Sequence, residues 1–317
     1  MNTTGVQMTL APATLRRNPN NPRRYFNDEQ LDLLRTSLQE VGILVPLIAY
    51  EDASTPGEYV LMDGERRWRC ALDLAFDEVP AMVIPEPTPL ENLLRMFNIH
   101  SVREEWPLIS VALSLREVIE QSGEEREGRL AEMTGLTRST VRRARKLLTL
   151  PDDELELIRN EAHLDRTEQI HREDLYLEII AATSVITNGL PEISERYEQP
   201  EIIRSFAEKR EQKTLRAVTE FRDVGKLVKA SDDELVGRGA VVEAVDRLIG
   251  DVDVTPSAVF EEIAAAVYEQ QTAARKAELL EESIGDLVET PELSPTLRGA
   301  LERLRATIDR VLGESDG

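Results

Sequence analysis

The sequence predicts an α+β chain: a small mixed α/β domain at the front, an all-α unit after it, and a mostly helical remainder. Three observations carry this. Short apolar runs mix with helical patterns only from about Leu15 to Ile84, and from Thr88 onward apolar residues keep three- and four-residue spacing. Glycine and proline clusters punctuate both regions. With 317 residues, 41% of them hydrophobic, the chain can bury a real core and is long enough for two or three domains.

Residues 1–17 read as a tail with Arg16 and Arg17 as its only basic side chains. Asn27 can cap a helix whose Leu31, Leu34 and Leu38 share one face, and Gly42 stops it before a strand over Leu44 to Tyr50. Asp52 to Gly57 is a turn-rich loop that leads into a strand at Tyr59 to Met62. A helix follows, with Trp68, Ala71, Leu72 and Ala75 at helical spacing, and Val79 to Ile84 reads as a further strand. Thr88-Pro89-Leu90-Glu91 has the form of a capping box and starts a helix running to about Asn98. Trp106 and Pro107 open the next helix, which Ser122-Gly123 ends. Beyond Pro151, helices are joined by turns at Gly189-Leu190-Pro191, Gly237 to Gly239 and Asp251 to Pro256. Gly285, Pro291, Pro295 and Gly299 prevent one long coiled coil at the end.

A single cysteine, Cys70, rules out an internal disulfide and reads as a small buried helix residue. No charged-then-apolar leader and no run of eighteen apolar residues is present, so a soluble cytoplasmic chain without a membrane span is expected. The net charge of -22 opposes nucleic acid at long range, but its distribution matters more than its sum. Between Arg126 and Thr149 seven basic residues face two acidic ones, a local balance of +5.

Two motifs carry chemistry. In Asp63-Gly64-Glu65-Arg66-Arg67-Trp68-Arg69 a glycine turn and three arginines sit where a strand hands over to a helix, and guanidinium forks beside a helix start suit phosphate oxygens. Arg129 to Val141 has the layout of a helix-turn-helix. Ala131 allows close helix packing, Gly135 makes the turn, Thr137 caps the second helix, and Leu136 and Val141 point to a shared core. Thr137, Arg138, Ser139, Thr140, Arg142, Arg143 and Lys146 then form the candidate face for double-stranded DNA.

The order of these segments resembles the ParB family of partition proteins over residues 18 to about 158. It runs from Asn18-Pro19 and Asn21-Pro22-Arg23 through Gly42-Ile43-Leu44-Val45-Pro46 and Gly64 to Arg69, and on to Arg138-Ser139-Thr140-Val141 and Leu147 to Pro151. The resemblance implies a ParB/sulfiredoxin-like N-terminal fold over residues 18–107, a DNA-binding helix-turn-helix domain over 108–160 and a divergent helical region over 161–317. It implies a clamp-like homodimer, associated with nucleoid or plasmid, that binds CTP with Mg2+ and reads a palindromic site; a ParA-type ATPase is left open as a partner. The family's nucleotide motifs fall on Gly42, Val45 and Pro46, on Gly64, Glu65, Arg66, Arg67 and Arg69, and on Asn98 and Arg103.

The third motif departs from the family pattern. Phe97 stands where the family has a glutamate that serves magnesium and hydrolysis, so nucleotide binding with weak or absent CTP hydrolysis is expected. Glu91-Asn92-Leu93-Leu94-Arg95 matches the letters better, but the capping box already explains Glu91; His100, Glu104 and Glu105 are the nearby substitutes. The C-terminal half also departs, being acidic and helical where the family commonly ends in a short basic dimerisation domain. The reading from these features is a nucleotide-responsive, sequence-specific DNA-binding protein of partition or transcriptional regulation. The alternative is a metal-dependent nuclease or phosphotransferase on the same scaffold, with Asp63 and Glu65 as the acids it would need.

Overall fold

A computed structural model of the protein describes residues 5–21, 26, 28–100, 106–232, 235–285, 287 and 292–313. Strands β1 (Val6–Leu10), β2 (Leu15–Arg16), β3 (Leu47–Glu51), β4 (Tyr59–Asp63) and β5 (Val79–Ile84) form one mixed sheet in the order β1-β5-β3-β4-β2. β1 runs antiparallel to β5, and β3 lies parallel to β5 and antiparallel to β4. β1 and β2 fall inside the segment that the sequence reads as a tail. Its alternation is too short to register, and pairing with β5 and β4 is what makes it strand.

Period-two alternation splits the central strands between two cores. Leu47, Ala49 and Leu61 pack with Ala71 on the face covered by α2 (Glu65–Asp73). Tyr50, Val60 and Met62 pack with Met96 on the other face, beneath α3 (Pro89–His100). α1 (Asp28–Val41) lies outside α2, where its Leu31 and Leu38 enclose the fully buried Cys70. Burial pushes the Cys70 thiol up, as befits a packing residue. The strand expected from Leu44 begins instead at Leu47, because Pro46 cannot donate to the ladder. Leu44 and Val45 are left 79% and 62% exposed.

α3 is buried on two sides. Met96 faces the sheet, whereas Leu93 and Phe97 join a second core that continues through α4 (Leu108–Ser122), α5 (Glu127–Thr134) and α6 (Arg138–Leu147). The same core runs on through α7 (Asp152–Glu161), α8 (Glu173–Gly189), α9 (Pro191–Ser194), α10 (Gln199–Glu211), α11 (Phe221–Lys229), α12 (Arg238–Gly250) and α13 (Pro256–Ile263). α14 (Ala265–Gly285) and α15 (Pro295–Gly313) bury no residue, and the break between them falls where the sequence places its glycines and prolines. Among the described residues no helix is long and apolar enough to cross a membrane.

Phe97 is 1% exposed and its ring lies 5.6 Å from that of Trp106, tilted against it. It therefore joins the sheet domain to the helices behind it. Phe97→Ala should lower stability by about 3–5 kcal/mol, read as a fall in the denaturant midpoint.

Candidate functional site: an anion cradle and a DNA-reading face

The turn between β4 and α2 rests on Gly64, whose φ of +94° favours glycine. A Cβ there would meet Leu47 Cδ2 at 2.5 Å. The next residue, Glu65, turns inward and is 7% exposed. Its carboxylate accepts from Asn21 Nδ2 at 2.7 Å and from Arg69 Nε and Nη2 at 3.1 and 2.7 Å, and Arg17 Nε stands 3.3 Å away. Arg69 also lies over the Phe26 ring, 4.5 Å from its centroid. Glu65 thus gathers cations around its carboxylate.

Arg67 brings two sequence motifs together. Its Nη1 donates to the carbonyls of Val45 and Pro46, the latter at 3.1 Å, and its Nη2 donates to Asp63 at 3.3 Å. The Gly42 to Pro46 loop is thereby drawn against the arginine turn. Arg66 donates to the carbonyl of Gln30 on α1 at 3.4 Å. Four guanidinium groups (Arg17, Arg66, Arg67, Arg69) share this corner with two carboxylates, Asp63 and Glu65, leaving it positive within an acidic chain.

Of the third expected motif, Phe97 and Asn98 lie within the described residues. Phe97 is in the core, and the exposed Asn98 spends its amide on the Leu94 carbonyl of its own helix at 2.9 Å. Arg103, Glu104, Glu105 and the cap expected at Asn27 lie outside the described residues, as do Pro22 and Arg23. Glu91 accepts from the Thr88 amide at 3.0 Å and from the Thr88 hydroxyl at 3.1 Å, completing the capping box. Those bonds hold its carboxyl below the usual range. Its neighbour Asn92, treated by sequence reasoning as part of a false match, is buried and bonded to Asn18 Nδ2 at 2.8 Å. The signal available for this pair was the run of asparagines at 18, 20 and 21.

The helix-turn-helix is built as its residues require. Gly135 ends α5 in the left-handed conformation, with φ +73°, and Thr137 Oγ1 caps α6 by accepting from the Thr140 amide at 3.1 Å. Val141, Ala144 and Leu147 face inward, while Leu136 and Ala131 pack half-buried at the core margin. Thr137, Arg138, Ser139, Arg142 and Arg143 are exposed, with Thr140 and Lys146 half-buried beside them. Arg142 pairs with Glu127 at 3.2 Å, and Arg145 donates to the Glu125 carbonyl at 2.8 Å. Arg138, Arg143 and Lys146 form no ion pair among the described residues. By contrast, Arg196, Arg204, Arg222, Arg238 and Arg247 of the C-terminal half each pair with an acid on another element or across a turn.

Sequence reading missed Glu173. From the start of α8 its carboxylate accepts from the Ile109 amide at 2.6 Å and so caps α4, whose own N-cap residue, Pro107, offers no side-chain acceptor. Burial raises the Glu173 pKa, opposed by the amides of Ile109 and Leu108 and by Arg143 on α6. The C-terminal half thus sets the start of α4, the helix on which the helix-turn-helix packs.

Gly64→Ala combines left-handed strain with the Leu47 clash and should cost about 1–3 kcal/mol. Gly42→Ala, at φ +72° with open space around it, should carry the strain alone. Thermal melts of the two variants should show the larger loss at Gly64; equal losses would mean that the turn relaxes away from Leu47.

Comparison with known proteins agrees with this architecture. Residues 1–96 match the model of the ParB N-terminal domain. The chromosome-partitioning protein ParB of Caulobacter vibrioides is 37% identical over 142 residues, 44% of this chain and 45% of that protein. The chromosome-partitioning protein Spo0J of Thermus thermophilus is 35% identical over 156 residues, 49% of this chain and 56% of that one. The chain therefore spans about half the length of these curated relatives. A solved structure of C-terminally truncated ParB from Caulobacter crescentus, complexed with CTP-gamma-S, is 31% identical; the match covers 53% of this chain and 92% of that one, with a TM-score of 0.30. Residues 1–96 thus match a ParB N-terminal domain, and about half of the chain is similar in sequence to these ParB and Spo0J proteins.

Proposed function

We propose that this protein is a nucleotide-responsive, sequence-specific DNA-binding protein of chromosome or plasmid partition. The observation that carries the reading is the outer face of α6, where Arg138, Arg143 and Lys146 hold charge that no ion pair among the described residues consumes. A recognition helix needs donors of this kind for phosphates and base edges. Thr137, Ser139, Thr140 and Arg142 complete the face. Arg142 would exchange its exposed pair with Glu127 for phosphate, a small sacrifice because surface ion pairs are worth about 0–1 kcal/mol.

The nucleotide we propose is CTP, bound at the corner of Gly42, Val45, Pro46, Gly64 and the arginines at 66, 67 and 69. Support comes from the positive corner and from the ParB N-terminal match over the same residues. Magnesium would enter with the nucleotide, held largely by phosphate oxygens and water, as that ion's slow dehydration favours. Glu65 would act indirectly, by fixing Arg69. A homodimer on a two-fold operator is the assembly that such a helix-turn-helix serves, and a ParA-type ATPase is the partner that partition would require.

The test is selection of bound fragments from host DNA, with and without CTP and magnesium. A recurrent palindromic site whose occupancy changes with CTP is the expected result. Uniform binding to all fragments would remove the sequence-specific reading. Arg143→Ala and Arg138→Ala should each weaken binding by roughly 1–3 kcal/mol if the lost contact is to a base edge, or reduce the salt slope by about 1 if it is to a phosphate. Unchanged affinity in both variants would exclude α6 as the reading helix.

Turnover should be slow, because the residue in the family's glutamate position is a core phenylalanine. The full chain is expected to bind CTP and release little phosphate even with its DNA site present. Phe97→Glu should unfold the protein rather than activate it, since a carboxylate among Leu93, Leu108 and Trp106 has no partner. Rapid phosphate release by the wild-type chain would contradict this.

A further inference from the structure

Two buried amides lie between the sheet and α3. Asn18 is 1% and Asn92 5% exposed. Asn18 Nδ2 donates to Asn92 Oδ1 at 2.8 Å, and Asn92 Nδ2 donates back to Asn18 Oδ1 at 3.4 Å. Asn18 Oδ1 also accepts from the Asn20 amide at 3.0 Å, and its Nδ2 faces the sulfurs of Met62 and Met96 at 3.5 and 3.7 Å. Burying two amides costs free energy unless their bonds are made, and an apolar pair would pack the same space without that risk. Paired amides set a unique distance and rotation between the elements that carry them, which apolar side chains do not.

Those elements are informative. From Asn18 the chain turns, with the Asn21 amide donating to the Asn18 carbonyl at 3.1 Å, and Asn21 Nδ2 then donates to Glu65. Glu65 in turn holds the Arg69 guanidinium. Met62, which touches Asn18, directly precedes Asp63 and Gly64. On the far side of α3, one residue from Asn92, Leu93 enters the core shared with Leu130 of α5 and Val141 of α6. A continuous chain of contacts therefore runs from the helix-turn-helix core through α3 and Asn92 to Asn18, Asn21, Glu65 and Arg69.

We propose that Asn18 and Asn92 are a positioning pair that sets the anion cradle and makes its geometry depend on where α3 sits against the DNA-reading unit. The pair touches no ligand itself. It fixes the 18–21 turn, the turn fixes Glu65, and Glu65 aims Arg69. A shift of α3 that accompanies rearrangement of α5 and α6 would be passed to the arginines through these bonds, and nucleotide occupancy would be passed back by reciprocity. The inference rests on the nucleotide-binding reading above for its consequence, but the positioning can be read without nucleotide.

The experiment uses the full chain with Asn92→Leu, Asn18→Leu and the double variant. Amide hydrogen exchange without nucleotide should show faster exchange at Asn20 and in the first turn of α2 in Asn92→Leu, while α5 and α6 keep wild-type protection. CTP affinity should fall about tenfold, the scale expected when a buried polar partner is orphaned. The dependence of DNA affinity on CTP should shrink, while DNA affinity without nucleotide stays unchanged. The double variant orphans neither side-chain amide and frees only the half-buried Asn20 N–H, so its melting temperature should recover in large part while CTP affinity does not.

If CTP affinity recovers together with stability in the double variant, the pair is merely structural and the proposal is overturned. Wild-type exchange at Asn20 and α2 in Asn92→Leu would overturn it equally. A wild-type chain that binds no CTP, while exchange responds as expected, would defeat the nucleotide reading and leave the positioning role standing.

Discussion

The buried carboxylate of Glu65 is the interaction on which the N-terminal domain depends. It sits at the first position of α2, where the helix dipole favours negative charge, and it takes bonds from an asparagine and from Arg69, with Arg17 alongside. Without it, three arginines in four positions would repel one another across a single turn. With it, Arg69 is neutralised at the helix start, while Arg67 turns to the Val45–Pro46 carbonyls and Arg66 to the Gln30 carbonyl. Gly64 is the geometric counterpart, since only a residue without Cβ fits between Leu47 and the left-handed turn that aims Glu65 inward.

α3 transmits this arrangement to the rest of the molecule. It carries a polar residue, Asn92, and Met96 toward the sheet, and Leu93 and Phe97 toward the helices that follow. Interiors pack at near-crystalline density, so such a helix cannot shift on one side without disturbing the other. The core it enters continues without interruption from Leu93 to Ala264, and Glu173 adds a polar tie by capping α4. The described helices of the C-terminal half up to Ala264 are thus structurally continuous with the helix-turn-helix.

Electrostatics divides the arginines into two populations. In the C-terminal half Arg196, Arg204, Arg222, Arg238 and Arg247 bind acids on neighbouring segments and serve to hold helices together. On α6, Arg138 and Arg143 project from a helix whose inward positions are all small or apolar. In a strongly acidic chain such a face stands out as a local patch of positive charge, which would favour a defined orientation toward an anionic partner over diffuse adsorption.

The sequence alone determined the elements whose causes are local. Thr88 and Glu91 form a capping box within four residues, Gly135 and Thr137 shape the helix-turn-helix by their own backbone and hydroxyl, and Cys70 is buried by the helical periodicity around it. The collinear motifs that carry the ParB resemblance were legible for the same reason. Only the tertiary structure decided what depends on partners distant in the chain. β1 is a strand because β5 lies beside it, and Arg67 is a clamp because Val45 and Pro46 present their carbonyls to it. The side chains of Glu65 and Asn92 are turned inward by bonds to Asn21 and Asn18. Glu173 caps a helix 64 residues away, a relation no periodicity could announce. Hydrogen bonds and close packing act over a few ångströms of space, and when the two groups are far apart in sequence only the folded chain brings them within that range.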